Sequence, residues 1–147
     1  MEDRKRRPHS ILKKVLAGVF LAVFVLLVAG TVLRYAVIEA PFRKLERNVS
    51  SFSEYEYLIA YPHGFLAEFP GFVQIRESHN NYAFFRYNPL TGELTRHLLV
   101  TGEGSSFTVD ENWNAVNPDE QLLIDENLDV LKPLSDEADR LLALIGK

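Results

Sequence analysis

Nineteen consecutive residues, Val15 to Leu33, carry no charge, and Thr31 is the only notably polar side chain among them. An α-helix of that length rises about 28 Å, close to the hydrocarbon thickness of a bilayer. A helix this apolar on every side has no polar face to turn to water, which argues against a core helix of a soluble domain. The run predicts a transmembrane helix. It divides the 147 residues into a short basic tail, a span and a polar domain.

The flanking charges predict an orientation. Arg4, Lys5, Arg6, Arg7, Lys13 and Lys14 precede the run, and Arg34, Arg43, Lys44 and Arg47 follow it. Basic residues near a span are retained on the cytoplasmic side, so the denser N-terminal group places the N-terminus inside. Arg34 and Tyr35 suit the interface, as a snorkelling cation and an interfacial ring. Ala36, Val37 and Ile38 continue the helix until Pro41 ends or kinks it. The rival is a cleaved secretion signal, with Val28-Ala29-Gly30 as a tolerable cut site. The uncharged run exceeds the usual signal core of about 7–15 residues, which favours a retained anchor. The expected organisation is a basic cytosolic tail over 1–14 and a signal-anchor helix over 15–38. A juxtamembrane helix or linker follows over 39–53, then an extracytoplasmic α+β domain over 54–147, on a plasma or inner membrane.

Composition narrows what that domain does. The chain has no cysteine, so disulfides and thiol chemistry play no part. From Pro41 onward 9 Lys/Arg face 17 Asp/Glu, and after Thr101 the ratio is 3 to 11. Such a surface repels phosphate backbones, so nucleic acid is not an expected partner.

Three stretches are legible beyond the span. Phe42, Leu45, Val49 and Phe52 fall at helical spacing and predict a short amphipathic helix. From Glu54 to Thr101 the pattern is β-like. Tyr55, Tyr57, Ile59 and Tyr61 alternate with other side chains, as do Val73 and Ile75. Two further strands flank Asn88-Pro89-Leu90-Thr91-Gly92, where Asn and Pro suit a type I turn and Gly92 the left-handed position after it.

The third stretch holds a weak repeat: Val109-Asp-Glu-Asn-Trp-Asn-Ala-Val-Asn-Pro118 aligns with Ile124-Asp-Glu-Asn-Leu-Asp-Val-Leu-Lys-Pro133. Asp and Asn favour tight turns, which predicts two small hairpins. A helix start at Asn117-Pro118-Asp119-Glu120 competes with the second. Leu122, Ile124, Leu128 and Val130 keep period two, which favours the hairpin. A final helix is expected from Asp136 to Ile145, capped by Ser135 and stopped by Gly146.

The repeated loops carry the sharpest chemical hypothesis. Asp110, Asn112 and Asn114, and likewise Asp125, Asn127 and Asp129, place oxygen ligands as the first half of an EF-hand loop does. The pattern then fails, because Ala115 and Val130 stand where glycine is needed, and Gln121 and Asp136 where a bidentate glutamate belongs. A weak calcium site is what remains of that hypothesis. His63, His79 and His97 form no zinc spacing, and Thr101-Gly-Glu-Gly-Ser-Ser106 lacks the lysine of a phosphate loop. No catalytic motif stands out, and an enzyme is not expected.

Between Phe52 and Tyr87 there are eleven Phe or Tyr in thirty-six residues. Phe65, Leu66, Phe69 and Phe72 crowd a Pro- and Gly-rich loop and are the expected partner-binding residues. Gly18 and Ala22 make a small-xxx-small pair on the span, suited to close helix packing or a homodimer. The predicted fold class is α+β: a single N-terminal transmembrane helix, then a small antiparallel β-rich domain with a C-terminal helix. Two functions fit. One is a non-enzymatic accessory or structural module that binds another envelope protein; the other is a ligand- or calcium-responsive module.

Overall fold

The computed structural model describes residues 8–49, 53–64, 67–102 and 104–147. The chain forms two compact units, Met1–Ala36 and Val37–Lys147.

The first unit is helix α1, Pro8–Leu33, whose side chains from Ile11 to Leu33 are exposed on all sides. The candidate span runs Ile11–Asn48 and is long and apolar enough to cross a membrane, a property shared by membrane anchors and signal sequences. Pro41 does not end the helix. Arg34–Glu39 winds as a π-helix, and α2 (Ala40–Asn48) follows with the proline in its first turn. Proline offers no N–H to the carbonyl four residues back and crowds it, and a wider turn before it accommodates the ring. The amphipathic helix expected after the span is α2, which buries Phe42 and Leu45; Phe52 lies outside the described residues.

The second unit is a five-stranded antiparallel meander in the order β1-β2-β3-β4-β5. The strands are β1 (Glu56–Ala60), β2 (Gly71–Arg76), β3 (Tyr82–Tyr87), β4 (Leu94–Val100) and β5 (Ser105–Val109). The predicted β3–β4 hairpin is present. The Asn88 carboxamide accepts from the Leu90 N–H at 3.0 Å, and Gly92 (φ 75°) donates its N–H to the Asn88 carbonyl at 2.8 Å. Beyond β5 the chain turns at Asp110–Asn114 and folds back. The Asp110 N–H donates to the Asn114 carbonyl (2.8 Å) and the Val116 N–H to the Thr108 carbonyl (2.9 Å), so this loop occupies the outer margin of β5.

After a 3-10 turn (Pro118–Glu120) come α3 (Gln121–Glu126) and α4 (Leu128–Leu144). The second expected hairpin is therefore a pair of helices, and the first repeat is a turn while the second is a helix junction. Asn117 is the cap, accepting from the Asp119 N–H. α4 begins eight residues before Asp136 and runs through Pro133, and Ser135 is buried inside it rather than capping it, with its hydroxyl donating to the Lys132 carbonyl at 2.9 Å. Ile124 of α3 is buried, and α4 buries a stripe in which Leu134 follows Leu131 by three residues, Ala138 follows by four, and Leu141 and Leu142 lie three and four beyond Ala138. Packing of that stripe outweighs the single hydrogen bond that Pro133 removes.

One face of the sheet takes all of this packing. Val73, Ile75, Ala83, Phe85, Tyr87, Leu98, Val100, Phe107 and Val109 form a single core with Phe42 and Leu45 of α2 and the stripe of α4. Alternation along each strand sends their neighbours to the opposite face.

Candidate functional site

The opposite face is the feature the packing leaves over. The register aligns Leu58, Gln74, Phe84, His97 and Thr108 in one row across the five strands. The adjoining rows are Ala60, Phe72, Arg86 and Thr95 on one side, and Glu56, Arg76, Tyr82, Leu99 and Ser106 on the other. An antiparallel sheet with one wet face ordinarily places polar residues there. Here Leu58, Phe72, Phe84 and Leu99 take those positions, and none of them joins the core.

The centre of this face is ordered by aromatic contact. Phe84 lies 4.6 Å from the His97 ring, stacked at 11°, and 5.4 Å from Phe72 in a tilted arrangement. Burial between these neighbours, and then the positive charge of Arg86, hold the His97 imidazole below its usual range, which favours the neutral ring. Arg76 pairs with Glu56 at one corner. Leu58, Phe72, Phe84 and Leu99 are thus interspersed with Gln74, Arg86, His97 and Thr108 across this face.

Of the four residues expected to bind a partner, Phe72 belongs to this face. Phe69 is 57 % exposed and stacks on His63 at 4.6 Å in the loop before β2. Phe65 and Leu66 lie outside the described residues. The sequence reading passed over Phe84, His97, Leu58 and Leu99. For Phe84 the signal is that Tyr82-Ala-Phe-Phe-Arg-Tyr87 is apolar at both phases of the alternation, so one phase must face away from the core.

The oxygen-rich loops are arranged otherwise than an EF-hand. The Asp110 carboxylate accepts the backbone N–H groups of Asn112 (2.8 Å) and Asn114 (2.9 Å). The Asn114 N–H bond is the largest influence holding its pKa below the ordinary value. Asp125 accepts from Gln121 at 2.8 Å, Asn127 donates to the Leu123 carbonyl at 2.9 Å, and Asp129 is exposed at the start of α4. Asn112, Asn114 and Asp125 do line one groove of about 430 Å³, with Asp136 and Asp139. Lys132 stands in it, its ammonium 2.8 Å from Asp136. Among the described residues no group of three or more His, Asp or Glu is placed to hold a metal ion.

On α1, a β-carbon built at Gly18 meets nothing within 4 Å, and Ala22 is likewise exposed. Comparison with known proteins finds no matching protein family, curated protein or solved structure. The functional reading therefore rests on the chain's own surfaces.

Proposed function

We propose that this chain is a single-pass membrane protein, anchored by the apolar helix with its N-terminus in the cytosol. Its extracytoplasmic α+β domain is a non-enzymatic accessory or structural module that binds another envelope protein. The observation that carries this reading is the sheet face turned from the core, where exposed Leu58 and half-buried Phe72, Phe84 and Leu99 occupy positions that alternation assigns to water. Apolar surface of this kind marks contact sites. The basic N-terminal flank supports the orientation, and the acidic character beyond Thr101 turns the domain from phosphate-bearing partners toward proteins.

The test places a photo-reactive residue at Phe84, with a control at exposed Ala143, and illuminates intact membranes. The expected result is an adduct to a second protein chain from position 84 alone. Absence of any adduct at 84 and at Leu99 overturns the reading. Protease added to sealed cells is expected to remove the C-terminal domain.

The groove that gathers Asn112, Asn114 and Asp125 keeps a second reading, a calcium-responsive module. A rise in melting temperature with millimolar calcium that disappears in Asp125→Ala supports it. No shift removes it.

A further inference from the structure

The margins of the sheet differ, and the hydrogen-bond phase shows how. The Glu77 N–H donates to the Asn81 carbonyl just past the end of β2. Bonded residues alternate along an antiparallel pair, so the odd residues of β2 bond to β3 and Phe72, Gln74 and Arg76 bond to β1. Their partners are Ala60, Leu58 and Glu56. Tyr57 and Ile59 therefore turn both N–H and C=O outward, and no described residue meets them. The same phase, carried across the sheet, sends Thr108 and Asp110 outward from β5, where the returning loop takes the Thr108 carbonyl and the Asp110 N–H. The β5 margin is capped at its C-terminal end; at β1 no described residue caps the strand.

The open margin is self-complementary. A second β1 laid antiparallel about Leu58 puts Tyr57 opposite Ile59 in mutual hydrogen bonds and Leu58 opposite itself. Glu56 then faces Ala60, and Tyr55 faces Tyr61. No like charges are opposed, and aromatic rings sit across from a β-branched residue or each other, the favoured cross-strand pairs. Leu58 is 55 % exposed, so the contact covers apolar surface now in water. Beside this margin a cleft is lined by Glu39, Arg43, Glu46, Arg47 and Tyr61, two residues of each sign, so that copies meeting there face no excess of one charge.

We infer that the partner of the β1 margin is a second copy of this chain, the two sheets joining through antiparallel β1 strands into one continuous sheet. This rests on the reading of the chain as a membrane-anchored interaction module, because a shared membrane supplies the high effective concentration that a short strand pair needs. The span contributes an open Gly18–Ala22 stripe on the same polypeptide.

The chain's lack of cysteine makes the test direct. In the proposed register position 58 is a non-hydrogen-bonded pair across the twofold axis, with Cα atoms about 4.5 Å apart, inside the disulfide range. Full-length Leu58→Cys, treated with mild oxidant in its own membranes, is expected to give a disulfide dimer. Its rate should be at least about tenfold that of Leu122→Cys, which samples only collision within the membrane. Equal rates, or monomer alone from Leu58→Cys, overturn the inference. Independently, the wild-type protein in mild detergent is expected to have the mass of two chains, and Leu58→Lys, which opposes two ammonium groups, the mass of one. A monomeric wild type overturns it as well. An adduct of Leu58→Cys to a thiol protein of different mass overturns self-pairing while leaving the accessory-module reading intact. Loss of that reading is seen separately, as silence at the Phe84 crosslinker.

Discussion

Phe42 closes over Gly71: a β-carbon at position 71 would stand 2.0 Å from the ring's Cζ and 2.3 Å from Cε1. The ring is fully buried and also lies 6.0 Å from Tyr61 and 6.3 Å from Tyr87, so it has nowhere to move. The first helix of the domain is thus keyed into the sheet through a missing side chain. Gly71→Ala is expected to lower stability by about 1–3 kcal/mol through overpacking, and Phe42→Ala by about 3–5 kcal/mol through the cavity it leaves. Adding Phe42→Leu to Gly71→Ala should cost less than the two single changes summed, because they share one contact. Thermal unfolding of the wild type and the four variants in detergent measures this.

The β2–β3 connection is held by one carboxylate. Glu77 accepts from the backbone N–H of His79 (2.7 Å) and of Asn81 (2.9 Å) and from the Asn81 side chain (2.7 Å). Burial by itself would raise its pKa, but these bonds together outweigh it and hold the group at about 2. The folded value is depressed below the unfolded one, near 4.5, so the stabilisation is complete above that pH. It disappears as pH falls from there through about 2. The melting temperature of the wild type should fall over that window more steeply than that of Glu77→Gln. At neutral pH the variant should lose about 1–2 kcal/mol.

His97 acts in the same direction but in a higher pH window. Burial, then Arg86, lowers its folded pKa below the usual 6.5, so the unfolded chain takes up the proton first. Stability should be level above that pH and decline as pH drops below it, until the folded imidazole is also charged. His97→Gln is expected to abolish this decline. If Phe84 meets a partner through the face it shares with His97, the adduct yield at position 84 should fall with pH alongside stability.

Trp113 is the sole tryptophan and only 7 % exposed, so its emission reports one place. Its Nε1–H donates to Asp139 at 2.9 Å, which fastens the loop after β5 to α4, and the Arg96 guanidinium lies over the ring at 5.9 Å. Blue-shifted emission is expected from the native protein. Asp139→Ala strands the indole N–H and should lower stability by about 1–3 kcal/mol, with a red shift beginning below the global transition. An unchanged melting curve would show that water replaces the carboxylate without loss.

Legibility followed chemistry that acts locally. The β3–β4 turn was readable because Asn88 and Gly92 each have a backbone reason for their place, and α2 because Phe42 and Leu45 keep a helical phase. The C-terminal helix from Asp136 was readable, but residues 118–135 misled because Leu122, Ile124, Leu128 and Val130 keep period two while Leu122 and Leu128 are exposed. The stripe that decides the matter needs Leu131, Leu134 and Ala138, reached only by reading through Pro133. The π winding at Arg34–Glu39 is signalled only by Pro41 after it, which reads equally as an end or a kink. The uncovered face was missed for a different reason: a run such as Ala83-Phe84-Phe85 looks like core at either phase, and only the docking of α2 and α4 settles which phase they cover.

The returning loop that takes up the rim of β5 has a further meaning for assembly. Growth of a ribbon by repeated addition requires two receptive ends on every unit, and the loop withdraws the Thr108 carbonyl and the Asp110 N–H from one of them. For the pairing inferred through β1, this favours a closed pair over an open fibre.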